Sequence, residues 1–257
     1  MLSKPLLSVA ALVGLAAAAP STRSCNSSFK NIVFNSGVND QPDIAGRFMT
    51  LQSYGVATWI GFTLDNASPS NANLDAGQIK MVLSGDNVQA GVDLITGPNA
   101  PEYLQILNEP DGGFYNLPVY SPEEAASLVR PLLDAQTTTK FLSPAPAYPN
   151  TDWLPRFFAA CGCEDRFPVI LAHVYSVNPQ GAIGAMEAVM NQFPGKTVWV
   201  TELSPASDPA QNCGLDGQGV IDWMNAVVGW ASQQPAIERM YWNSGEYVSL
   251  RAPFYRC

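Results

Sequence analysis

Histidine occurs once in the 257 residues, so no motif that holds zinc through paired histidines is available. Charge is also scarce. Asp, Glu, Lys and Arg make up 14% of the chain, against roughly 25% in an ordinary soluble domain, which leaves a largely neutral polar surface. Only 13 of these residues are Lys or Arg against 22 Asp or Glu, for a net charge of −9. A chain this acidic repels phosphate backbones, which removes nucleic acid as an expected partner. No Ser/Thr/Pro-rich linker, charge run or short repeat divides the sequence, so it reads as one domain. Apolar residues are plentiful. At 47% hydrophobic and 10% aromatic, the chain can bury a sizeable core, and disorder is a poor description of it.

Residues 1–19 read MLSKPLLSVAALVGLAAAA, one lysine followed by an apolar run that closes on small residues. This is the pattern of a secretory signal peptide, with cleavage expected after Ala18 and a mature domain over 19–257. The run is too short and Ala-rich for a membrane anchor, and no second run of spanning length follows, so a secreted protein without a membrane partner is expected. Five cysteines remain: Cys25, Cys161, Cys163, Cys213 and Cys257. Secretion makes disulfides the default for them. Cys25 and Cys257 bracket the mature chain and would meet if a closed barrel brought the termini together. Cys161 and Cys163 can close a small ring or bond elsewhere. Asn26 and Asn66 each begin a glycosylation sequon.

Eight short apolar runs recur along the chain: 31–35, 57–64, 79–83, 103–107, 141–144, 169–175, 197–201 and 239–242. Most are apolar at consecutive positions, as in strands covered on both faces of a parallel sheet. Helical patterns lie between them. Residues 43–54 space Ile44, Phe48 and Leu51 at helical intervals. Ser121-Pro122-Glu123-Glu124 reads as a capping box with proline in the first turn, and Pro131 should kink or shorten the helix that follows. Residues 184–193 and 217–232 also read as helices. Eight strands alternating with helices predict an α/β fold, a single-domain (β/α)8 TIM barrel. The alternative, an open doubly wound sheet, usually carries a glycine-rich first turn that this chain lacks.

Two acids stand out by position. Glu109 ends the fourth run and Glu202 the seventh. In a barrel both lie on the C-terminal rim, where catalytic groups collect, and they face each other across its mouth. Such a carboxyl pair suits glycoside hydrolysis, in which one acid protonates the leaving oxygen while the other carboxylate attacks the anomeric carbon. His173 and Tyr175 alternate on the sixth run and share one side of it. If that side faces inward, they approach Glu202, where a phenol can donate to the carboxylate. Of Tyr241 and Trp242 on the eighth run only one can face inward, and Trp242 is the expected sugar platform. Asp65, Asp111 and Glu246 also follow strands and read as loop caps. Residues 146–152 and 204–216 are expected to wall the cleft.

Asn108-Glu109-Pro110 and the glutamate after strand seven resemble clan A of the glycoside hydrolases. Five blocks are similar, in order, to glycoside hydrolase family 128 and its fungal β-1,3-glucanases: NAPEYLQILNEPDG (99–112), YSPEEAASLVRPLL (120–133), DWLPRFFAACGC (152–163), AHVYS (172–176) and GKTVWVTELSP (195–205). The resemblance implies Glu109 as acid/base, Glu202 as nucleophile, Asn108 as a partner of the sugar 2-hydroxyl, and retention of configuration without a metal or organic cofactor. The chain departs from the family's pattern at Ile106-Leu107, where Gly-Phe is common, and at Val174, where tryptophan is common. It departs again at Phe34-Asn35-Ser36-Gly37, where tryptophans often end the first strand.

The function this implies is an endo-β-1,3-glucanase, acting on a β-glucan polysaccharide or oligosaccharide; a monomer is expected, since nothing in the sequence suggests an oligomer. Two other readings remain open: a clan A hydrolase of another β-glycan, and a noncatalytic β-glucan-binding protein on the same barrel.

Overall fold

The computed structural model describes residues 29, 31–33, 55–65, 77–206 and 215–243. The expected leader, the helix over 43–54, Cys25, Cys213, Cys257, both sequons, Glu246 and most of the loop over 204–216 lie outside the described residues.

Eight parallel strands form a closed barrel in which each pairs with the next and the last returns to the first. They are β1 (Asn31–Val33), β2 (Trp59–Ile60), β3 (Gln78–Val82), β4 (Tyr103–Ile106), β5 (Lys140–Leu142), β6 (Val169–Tyr175), β7 (Thr197–Ser204) and β8 (Ile237–Asn243). Each apolar run of the sequence therefore holds a strand. Closure leaves no unpaired edge in the barrel.

The helices described are α1 (Val88–Thr96), α2 (Pro122–Leu128), α3 (Arg130–Asp134), α4 (Trp153–Cys161), α5 (Pro179–Gln192) and α6 (Gly217–Ala231). The capping box forms as expected: the Glu124 amide donates to Ser121 Oγ at 3.2 Å, and the Ser121 amide donates to the Glu124 carboxylate at 2.8 Å. Pro131 divides the segment into α2 and α3, because proline offers no amide to continue the ladder. α5 begins earlier than residue 184, at Pro179, where Asn178 accepts from the Gln180 amide at 3.0 Å. α1 was not among the expected helices, although Val88, Val92 and Ile95 stand at helical spacing, with Gly91 on the same buried face. That glycine is required by close packing: a Cβ there would sit 2.6 Å from Val82 on β3. α4 ends at Gly162, whose φ of 60° is left-handed, and Cys161 bonds Cys163 across that turn. Among the described residues no helix is long and apolar enough to cross a membrane.

The core has two layers. An inner cluster contains Val33, Ile60, Met81, Leu142, Leu171, Trp199 and Tyr241, all from strands, and fills the barrel. An outer cluster joins the other faces of the strands, including Leu104, Ile106, Val198, Val200 and Met240, to the helices. Residues two apart on a strand share a layer, so layer membership reports which way each side chain points.

Candidate active site

The C-terminal ends of β4, β6, β7 and β8 converge on one buried polar cluster. At β4 the strand alternation is broken. Leu107 and Glu109 have φ of 59° and 43°, left-handed values that are uncommon for residues other than glycine. Neighbouring strands impose them. The Leu107 and Asn108 amides donate to Val82 and Leu83 carbonyls at 2.8 and 3.1 Å, and the Glu109 amide donates to the Ala145 carbonyl at 2.9 Å. Such strain costs of order 1–3 kcal/mol per residue and is typical of functional sites.

At β7 a bulge does similar work. Val200 pairs Ala172 and Glu202 pairs His173, so Thr201 is an extra residue in the ladder, and the register toward β8 shifts over the same stretch. Plain alternation from Trp199, which points inward, would send Glu202 out to the helices. The bulge turns it into the barrel mouth.

His173 links the two acids. Its Nδ1 lies 2.9 Å from Glu109 Oε1 and its Nε2 lies 3.4 Å from Glu202 Oε1. Tyr175 donates its hydroxyl to Glu202 Oε2. Asn243, at the end of β8, donates from Nδ2 to the same Oε2 at 2.9 Å and also to the Tyr175 hydroxyl. Glu109, His173, Glu202 and Asn243 are all buried.

Burial sets the electrostatics. It disfavours the His173 cation, but the Glu202 charge, then the Glu109 hydrogen bond and charge, outweigh it and raise the imidazole pKa above its usual 6.5. Glu202 is raised above 4.5 by burial, opposed by His173 and reinforced by the Glu109 charge, while Tyr175 and Asn243 pull it down. Tyr175 is raised well above 10, by burial first and then by the Glu202 carboxylate, so it remains a donor. The trio Glu109, His173 and Glu202 is also a cluster of metal-ligating side-chain types, with one atom from each within 4.8 Å of the others. The contacts of His173 with both carboxylates make the cluster a proton network.

The structure brings Glu109, Glu202, His173 and Tyr175 together. Asn108 adjoins them at the end of β4, bridged to Ala145, and its buried Oδ1 has no partner among the described residues. Trp242, the expected platform, is not brought into this cluster: it packs against the outer cluster and edge-on against Trp223 of α6 with ring centres 6.1 Å apart. Alternation on β8 turns Tyr241 and Asn243 inward instead, and Tyr241 lies within the inner core. Asn243 was not among the expected site residues, although its spacing by two from Tyr241 places both on one side of β8. Asp111 is a cap, accepting from the Ala147 and Tyr148 amides at 2.7 and 3.3 Å and tying together the loops after β4 and β5.

A family model described as "Glycosyl hydrolase catalytic core" matches residues 45–252. Among solved structures, similar folds include a glutamate-to-alanine variant of a family 128 subgroup I endo-β-1,3-glucanase from Amycolatopsis mediterranei in complex with laminaripentaose. It is 21% identical, covers 84% of this chain and 88% of that one, and superposes with a TM-score of 0.67. A subgroup V exo-β-1,3-glucanase from Cryptococcus neoformans is 20% identical, covering 84% and 85%, with a TM-score of 0.62. A subgroup VII oligosaccharide-binding protein from Trichoderma gamsii is 18% identical, covering 88% and 86%, also at 0.62. No curated protein matches this chain. These solved structures share the barrel and carry the family 128 label to which the sequence blocks point. With the model match spanning most of its length, the chain belongs to the glycosyl hydrolase catalytic core family.

Proposed function

We propose that this chain is a secreted, retaining endo-β-1,3-glucanase with Glu202 as nucleophile and Glu109 as acid/base. The observation that carries the reading is the approach of the two acids: a carboxylate oxygen of each lies within 4.8 Å of the other. Retaining enzymes hold their carboxyls about 5–5.5 Å apart, whereas inverting enzymes leave about 6.5–9.5 Å for a water. Glu202 attacks the anomeric carbon as the glycosidic C–O bond breaks, and Glu109 protonates the departing oxygen. Glu109 then takes a proton from water, which attacks the glycosyl-enzyme and frees Glu202. His173 keeps the two carboxyls in one proton network, and the high pKa of Tyr175 keeps its hydroxyl donating to Glu202 throughout. The unpartnered Oδ1 of Asn108 suits a sugar hydroxyl.

The solved relatives named for β-1,3-glucan support the substrate, and they include both endo- and exo-acting enzymes. Tyr115 and Tyr148, exposed on the loops after β4 and β5, offer rings on which sugar faces can stack. Secretion rests on the leader pattern of residues 1–18.

The second reading, a noncatalytic glucan-binding protein, draws on the likeness to the oligosaccharide-binding protein. Two buried carboxylates sharing an imidazole are costly to hold and unnecessary for binding alone, which favours the enzyme. The test is reducing-sugar release from linear β-1,3-glucan, with β-1,4-glucan and mannan as controls. Release from the β-1,3 polymer alone supports the proposal, and short oligosaccharides of mixed length mark internal cleavage. No release, with retention on insoluble glucan, establishes the binding protein.

A further inference from the structure

We propose that Asn243 is a positioning residue for Glu202: its amide holds Oε2 and leaves Oε1 as the oxygen that attacks the sugar. The inference rests on reading Glu202 as the nucleophile. The two oxygens of this carboxylate are not equivalent. Oε2 accepts from the Tyr175 hydroxyl and from Asn243 Nδ2 at 2.9 Å, whereas among the described residues Oε1 faces only His173 Nε2, at 3.4 Å. An oxygen engaged by two donors has its lone pairs committed, and the less engaged one keeps electron density for attack.

The orientation of the amide is settled by chemistry, because a carboxylate oxygen can only accept and Nδ2 must face it. Nδ2 also donates to the Tyr175 hydroxyl, which closes a three-membered circuit across β6, β7 and β8. The amide therefore holds both the carboxylate and the phenol that donates to it. Asn243 is buried, so this circuit is shielded from competing water. Leucine here would leave Oε2 with one donor, and aspartate would set a like charge against it.

Among the described residues, the groups facing Glu202 are His173 and Tyr175 from β6, Glu109 from β4 and Asn243 from β8. Of these, Asn243 is the one donor that carries no ionisable proton. Its removal should raise the Glu202 carboxyl pKa while leaving the titrating groups in place.

The test uses parent, N243A and N243D proteins carrying 13C-labelled glutamate, with the Glu202 Cδ signal identified by its loss in E202Q. The Glu202 titration midpoint should move to higher pH in N243A and further in N243D, whose side chain is nearly isosteric with asparagine and keeps the packing. On linear β-1,3-glucan, kcat should fall about tenfold to a hundredfold with KM changed by no more than about twofold. The acidic limb of the kcat/KM profile should shift in the same direction as the midpoint. A midpoint and acidic limb unmoved in both folded variants overturn the role of Asn243. A moved midpoint in a protein whose parent releases no sugar keeps the hold on Glu202 and overturns the glucanase reading instead.

Discussion

The two ends of this barrel are built differently. At the N-terminal end, where β4, β5 and β8 begin, rings and a cation pack closely, although Gln78 Nε2 at the start of β3 is buried without a partner among the described residues. The Arg239 guanidinium lies 4.0 Å over Trp199 and 5.5 Å from Tyr103, and these two rings are 5.0 Å apart. Trp199 donates to Glu238 at 2.7 Å, and Thr58 joins Asn31 to the Tyr241 hydroxyl. At the C-terminal end backbone φ angles are left-handed, the β7 ladder is bulged, and two carboxylates are buried around one imidazole. Asn108 Oδ1, Thr201 Oγ1 and Asn243 Oδ1 are buried there without partners among the described residues. One end closes the fold. The other holds backbone strain and buried carboxylates, and its unmet polar atoms lie beside those carboxylates, where a substrate can satisfy them.

The largest test of this contrast is chemical. Glu202→Gln and Glu109→Gln should each lower glucan hydrolysis by at least about two to three orders of magnitude in folded protein. Azide should restore turnover to Glu202→Ala by supplying a nucleophile. Activity near the parent's in either Gln variant sinks the assignment. At the opposite end, Trp199→Ala should cost about 3–5 kcal/mol of stability, read as a fall in Tm or in denaturant midpoint. The Glu202 titration midpoint should stay where it was in the fraction that remains folded.

Tyr175→Phe should reduce kcat about tenfold and move the acidic limb of the pH profile upward, because the phenol now lowers the Glu202 pKa. A limb that moves downward contradicts that sign.

The active end should also make stability depend on pH. Glu202 and His173 both have raised pKa values in the fold. The folded state therefore binds more protons than the unfolded one above pH 4.5, and stability falls as pH rises through the folded pKa values. Glu202→Gln should raise Tm at neutral pH, with the gap to the parent narrowing as pH falls toward 4.5. The smallest effect belongs to a distant helix. Ser121→Ala removes the α2 cap and should cost about 1 kcal/mol, with the pH profile unchanged.

The fold was legible because each strand is short, apolar and covered on both faces, so its signal is local. All eight runs became strands, and β6 kept its expected bounds over Val169–Tyr175. Glu109 and Glu202 were legible as acids ending buried runs, and His173 with Tyr175 as alternate residues of one strand. α1 was not expected, although Val88, Val92 and Ile95 keep helical spacing, and its Gly91 lets the helix approach β3. On β8 the choice between Tyr241 and Trp242 was open to counting, but only closure against β1 and the packing of Trp223 decided it.

The amino-acid sequence by itself determined the strand count, the barrel class, and which acids stand at the ends of strands four and seven, because burial and alternation are written into neighbouring residues. Tertiary structure decided where those acids point. The bulge at Thr201, the left-handed turns at Leu107 and Glu109, and the meeting of Asn243 with Glu202 all depend on hydrogen bonds from strands distant in sequence. A one-residue slip in a ladder reverses every side chain beyond it, and only the neighbouring strands specify whether that slip occurs.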